Sequence, residues 1–109
     1  MKNWKVEFDI AAKKEFLNLD GSQKPQVAKA IEKVRQNPMP DYEGGCGKTL
    51  GNMGGNNLTG LLKIKLKKLG LRIIYKLVRE NDVMKIIVIS LRSDNEVYET
   101  AAKRISGEK

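Results

Sequence analysis

Between Lys63 and Arg79 the chain carries seven cations, Lys63, Lys65, Lys67, Lys68, Arg72, Lys76 and Arg79, and no carboxylate. Residues two apart on an extended backbone emerge on the same side of a sheet. Lys63, Lys65 and Lys67 therefore present their amines together if this stretch is a strand. Such a row can grip phosphates, and like-charged neighbours favour the neutral form of an amine, which is then a base as well as a clamp. A polyanion such as nucleic acid suits this field, and so does an acidic protein.

The rest of the composition narrows the chemistry. There is no His among the 109 residues, so histidine acid/base catalysis, His-paired nucleophiles and the commonest metal ligand are all excluded. Cys46 is the single cysteine; it can form neither an internal disulfide nor a Cys-rich zinc site. No metal and no cofactor is expected. The stretch GGCGKT imitates a phosphate loop, but Tyr42 stands where the pattern requires its first glycine and no strand precedes it. The N-terminus has no apolar signal core and no run is long enough to cross a bilayer, which points to a cytoplasmic chain without membrane contact. At this length residues 1–109 make one domain. Its net charge of +8 is uneven, with +2 over residues 1–54 and +6 over residues 55–109.

Several elements must position the cations. Trp4, Val6, Phe8 and Ile10 alternate with charged residues, which predicts a first strand. Asp9 can cap a helix over AAKKEFLNL that stops at Asp20-Gly21. Ser22 opens a second helix with Pro25 in its first turn and an apolar stripe of Val27, Ala30, Ile31 and Val34. Residues 38–60, rich in Gly, Asn and Pro, read as a long and partly mobile loop. LLKIKLKK, LRIIYKLVRE and VMKIIVISL then form an antiparallel meander, and Ser93 with Glu96 starts a short last helix. The fold class is α+β: a βααβββα domain with a twisted antiparallel sheet, an N-terminal helical hairpin and a C-terminal helix.

With Leu69-Gly70 as a two-residue turn, Lys67 pairs with Arg72, Lys65 with Ile74, Ile64 with Tyr75, and Lys63 with Lys76. Leu62, Ile64, Leu66, Ile73, Tyr75 and Leu77 then share the face that the helices cover. Lys63, Lys65, Lys67, Arg72 and Lys76 share the other. Solvation of an outer face would account for such lysines, but five cations without an acid repel one another, and a bound anion offsets that. Arg92, at the end of the last strand, and Tyr98, on the last helix, can reach the same face; Tyr98 also shares an apolar helical side with Ala102 and Ile105.

The element order, the segment LLKIKLKKLGLRIIYKLV and the ending ISLRSDNEVYETAAKR resemble the RelE/ParE superfamily of bacterial toxins, and within it the RelE branch. The resemblance spans nearly the whole chain and is most specific in KIKL, in G-x-R-x-x-Y and in R-x-x-x-E-V-Y. The loop GGCGKTLGNMGGNN departs from simpler RelE members by its length and glycine content. The resemblance implies a metal-independent, ribosome-dependent endoribonuclease toxin that cleaves messenger RNA and is held inactive by a cognate antitoxin. It implies roles for Lys63 and Lys65, for Arg72, for Arg92 and for Tyr98 in catalysis, with Lys67 and Lys76 as further RNA-binding cations. Two alternatives stay open: a ParE-like gyrase inhibitor that cuts no RNA, and a basic nucleic-acid-binding module without catalysis.

Overall fold

The computed structural model describes residues 4–53, 56–91 and 94–106. Strand β1 (Lys5–Phe8) runs into helix α1 (Ile10–Leu17), whose first turn is capped by the Asp9 carboxylate accepting from the Ala11 N–H at 3.2 Å. Helix α1 stops at Leu17, before the expected Asp20-Gly21, because Asp20 serves the next helix. Its carboxylate accepts from the Ser22 hydroxyl at 2.7 Å and from the Ser22 and Gln23 N–H groups at 2.9 and 2.8 Å. Those bonds, the hydroxyl's first, hold the Asp20 pKa below the ordinary carboxylate value. Asp20, and not Ser22, therefore caps α2 (Gln23–Val34), which buries Val27, Ile31 and Val34 at helical spacing.

The segment expected to be a loop has structure of its own. A 3-10 turn at Asp41–Glu43 is followed by β2 (Lys48–Thr49), β3 (Asn52–Met53) and β4 (Asn56–Asn57), with β3 and β4 paired as a small separate ribbon. Strands β5 (Leu61–Leu66), β6 (Leu71–Val78) and β7 (Val83–Ser90) make the expected antiparallel meander, and α3 (Asp94–Ser106) closes the chain. Ser93, the expected helix cap, lies outside the described residues. Alternation along one strand does not say which neighbour it takes. The five-stranded sheet runs β1-β7-β6-β5-β2, and β1 enters it parallel to β7. The sheet is thus antiparallel except at that one junction.

The β5–β6 hairpin differs from its expected register by two residues. Lys65 faces Arg72, Lys63 faces Ile74 and Leu61 faces Lys76. The turn takes four residues instead of two: the Leu69 N–H bonds to the Leu66 carbonyl, the Gly70 N–H to the Lys67 carbonyl, and Gly70 adopts φ +67°. A shift of two preserves the side on which every residue emerges. The face assignment accordingly stands for Lys63, Lys65, Arg72 and Lys76, whereas Lys67 leaves the strand for the turn and the pairings expected for Lys67, Lys65, Ile64 and Lys63 do not hold.

Both faces of the sheet are covered. Leu62, Leu71, Ile73, Tyr75, Met84, Ile86 and Ile89 pack with Ala12, Val27, Ile31 and Val34 under α1 and α2. On the other face Leu61, Ile74, Ile87 and Val88 pack with Val97, Tyr98 and Ala101 of α3. A bulge in β7 permits this: the register slips between Ile74 and Tyr75, leaving Ile87 unopposed, so Ile87 and Val88 both join the α3 side.

Tyr75 closes the first core. It is fully buried and donates its hydroxyl to the Pro38 carbonyl at 2.9 Å, and desolvation raises its pKa far above the ordinary phenol value. Gly47 crosses directly over that hydroxyl, and a Cβ there would collide with Tyr75 Oη and Leu62 Cδ2. Gly47→Ala should therefore destabilise the chain by about 1–3 kcal/mol. Adding Tyr75→Phe should recover part of the loss, a non-additivity that denaturant melts of the two single variants and the double variant will measure.

Candidate active site

The hairpin builds one end of the site. Lys65 and Arg72 are direct cross-strand partners, so their Cβ atoms stand about 5 Å apart on the face that α3 shares. Lys63 follows on the same face, one residue pair further along β5, about 7 Å from Lys65. Like charges facing each other across a ladder destabilise it. A phosphate bound between them turns that repulsion into attraction.

Helix α3 supplies the other wall. Tyr98 is 6 % exposed, packed among Leu61, Ile74 and Val97, with its hydroxyl at the edge of this cluster. The Lys63 ammonium donates to Tyr98 Oη at 2.7 Å. Its 5.3 Å distance from the ring centroid is what a cation held at the oxygen end of the ring must have, so the hydrogen bond sets the geometry and ring-face attraction is secondary. A phenol that accepts from Lys63 still has its own proton to donate. The pair therefore presents an ammonium and a phenol O–H beside the Lys65–Arg72 pair.

The expected site residues do not all meet. Lys63, Lys65, Arg72 and Tyr98 share one face near the hairpin end. Lys67 lies in the turn and is exposed. Lys76 emerges on the same face but four residues along β6 from Arg72, about 13 Å away, next to Lys85 in the ladder. Arg92 lies outside the described residues; β7 ends at Ser90, which pairs directly with Arg72.

One cation that sequence reasoning passed over joins them. β2 places Lys48 directly opposite Lys63 across the sheet edge. Cys46, Lys48, Lys63, Ile64, Lys65 and Lys67 line an open concavity of about 610 Å³. Lys48 sits in a glycine-rich stretch without periodicity, and the two residues of β2 are too few to carry an alternation that would reveal it. Among the described residues no group of three His, Cys, Asp or Glu side chains could hold a metal ion, and no helix is long and apolar enough to cross a membrane.

No protein-family model matches the chain. It is 30% identical over 103 residues to the mRNA interferase toxin RelE of Escherichia coli strain K12, an alignment that covers 92% of this chain and 95% of that one. The free form of an arginine double mutant of E. coli RelE superposes with a TM-score of 0.75 at 28% identity, over 95% of this chain and 99% of the other. The same mutant bound to a peptide of its antitoxin RelB gives a TM-score of 0.68 at 27% identity, over 94% and 98%. The fold is thus that of a known toxin architecture, and the chain is a member of the RelE family of toxins.

Proposed function

We propose that this chain is an endoribonuclease toxin that cleaves messenger RNA in the ribosomal A site without a metal and is neutralised by a cognate antitoxin. The observation that carries the reading is the convergence of the Lys63–Tyr98 hydrogen bond and the Lys65–Arg72 cross-strand pair on one basic face. Two further facts support it: the E. coli relative is named an mRNA interferase toxin, and its double mutant forms a complex with an antitoxin peptide.

RNA carries its own nucleophile. The protein needs to remove the 2′-hydroxyl proton, stabilise the charge that builds on the phosphorane and neutralise the departing 5′-oxygen. In this reading Lys65 takes the proton. Arg72 and Lys63 hold the non-bridging oxygens, where a planar guanidinium can bind two at once. Tyr98, bonded to Lys63, orients the nucleotide, and Arg92 stabilises the leaving oxygen by charge. Lys48, Lys67 and Lys76 contact flanking phosphates. The P–O5′ bond breaks as the P–O2′ bond forms, leaving a 2′,3′-cyclic phosphate, and the departing 5′-oxygen takes a proton from water to become the 5′-hydroxyl.

Purified protein incubated with naked RNA and, separately, with programmed ribosomes tests the reading. Cuts should fall within the A-site codon and carry those two ends, and a 2′-deoxy nucleotide at the cut position should abolish cleavage. Cleavage that survives the deoxy substitution, DNA breaks after induction in cells, or no cleavage in either assay would each overturn it.

Lys65→Ala should lower the single-turnover rate by about 10²–10⁴-fold while ribosome binding is largely kept. Normal cleavage by that variant removes the lysine from the chemistry. Lys48→Ala should instead weaken RNA binding and reduce the dependence of log affinity on log salt by roughly 0.7, the share of one phosphate contact on a single strand, as salt titrations will read.

A further inference from the structure

Strand β7 outlasts its outer neighbour. β1 ends at Phe8 opposite Ile86, where the Asp9 N–H makes a last bond to the Ile86 carbonyl at 2.8 Å, yet β7 continues to Ser90. On that side two side chains take over from the backbone. Glu15, in the second turn of α1, accepts from the Ile89 N–H at 3.0 Å, and Arg104, in the last turn of α3, donates to the Ile87 carbonyl at 2.7 Å. They also bind each other twice, Arg104 Nη1 to Glu15 Oε1 at 2.8 Å and Nη2 to Oε2 at 3.0 Å. Both side chains are largely withdrawn from water, at 29% and 19% exposure. The hydrogen bonds to Glu15 hold the Arg104 pKa above its ordinary value against the opposing effect of desolvation.

We propose that Glu15 and Arg104 are positioning residues for Tyr98: together they replace the missing β1 backbone along β7 and lock the axial position of α3, so that the Tyr98 phenol meets the Lys63 ammonium. Val97 and Ala101 hold α3 to the sheet by apolar contact, which is non-directional and fixes a helix's position along its axis less strictly than hydrogen bonds do. A slip of one residue moves a helix by about 1.5 Å. That is enough to break a bond of 2.7 Å between Lys63 and Tyr98. Arg104 lies six residues beyond Tyr98, about 9 Å along the axis, and its two sets of directional bonds stop such a slip.

The polarity of the arrangement makes the proposal sharp. The strand offers an N–H at Ile89 and a carbonyl at Ile87, so it demands an acceptor from α1 and a donor from α3. Exchanging the charges by Glu15→Arg with Arg104→Glu restores attraction between the pair. It also sets donor against donor at Ile89 and acceptor against acceptor at Ile87. A surface ion pair tolerates that exchange, whereas a substitute for strand backbone does not.

The test uses the full chain with fluorotyrosine at its three tyrosines, the Tyr98 resonance being assigned by Tyr98→Phe. Cleavage on programmed ribosomes is the second readout and rests on the nuclease reading; the fluorine spectrum does not. Arg104→Gln should shift the Tyr98 resonance and lower kcat by about 10–100-fold, with KM changed by less than about twofold. The milder Glu15→Gln, which keeps an acceptor for Ile89, should shift both in the same direction by less, and the charge exchange should recover neither. In a Tyr98→Ala background Arg104→Gln should cost less than about twofold. The proposal is overturned if the charge exchange restores the Tyr98 resonance and kcat, or if both glutamine variants melt earlier while kcat and the resonance stay unchanged. Should the unmutated protein cut no RNA, the nuclease reading fails and the resonance alone decides the positioning claim.

Discussion

Backbone polar groups inside a protein must find partners, and at the outer edge of β7 this requirement organises three elements at once. Past the Phe8–Ile86 pair no strand among the described residues lies along this outer edge of β7, and the bulge at Ile87 has already turned its local alternation. Glu15 and Arg104 meet the exposed N–H and carbonyl with matching polarity and then satisfy each other. Helix α1, helix α3 and the last strand are thereby joined where the sheet would otherwise present unpaired groups to a partly buried crevice. The bulge has a second consequence, since it sends Ile87 and Val88 to the same side and gives α3 an apolar bed broad enough to lie on. Without that bed Tyr98 would have no fixed place.

What α3 leaves uncovered is as informative as what it covers. Its apolar side occupies the middle of the second face, over Leu61, Ile74 and Val88, while Lys63, Lys65 and Arg72 remain toward the hairpin end. The cations thus border a hydrophobic cluster on one side and water on the other. An ammonium at such a border is less screened than one in open solvent, and its bonds to a phosphate are correspondingly stronger. Lys48 extends the same field across the sheet edge through two residues of β2. A nuclease working by charge and orientation, as proposed for this member of the RelE family, draws on such an arrangement, because the substrate provides the nucleophile and the protein provides a fixed set of donors.

Much of the architecture was legible from alternation. The α+β class, the helical hairpin, the three-strand meander and the last helix follow from periods of two and 3.6 and from turn residues. So does the basic face, which survived an error in the turn: taking four residues instead of two moved every partner in the β5–β6 hairpin but flipped no side chain. The 38–60 stretch was illegible because its strands are only two residues long, too short for alternation to show, and β2 is held by a partner outside the stretch. At Asp20 the sequence is ambiguous because a carboxylate can end one helix or begin the next. The parallel entry of β1 also escaped, since a strand's own pattern carries no information about its neighbour.

The amino-acid order by itself determined which side chains emerge together, because pleating and helical pitch are local properties and hold wherever a segment docks. Tertiary structure decided which of them meet. Tyr98 touches Lys63 across 35 positions of chain, Arg104 touches Glu15 across 89, and Lys48 faces Lys63 only because a sheet edge was free to receive β2. Such meetings depend on how elements stack and on which backbone groups are left unpaired when they do, quantities that exist only once the chain has closed on itself.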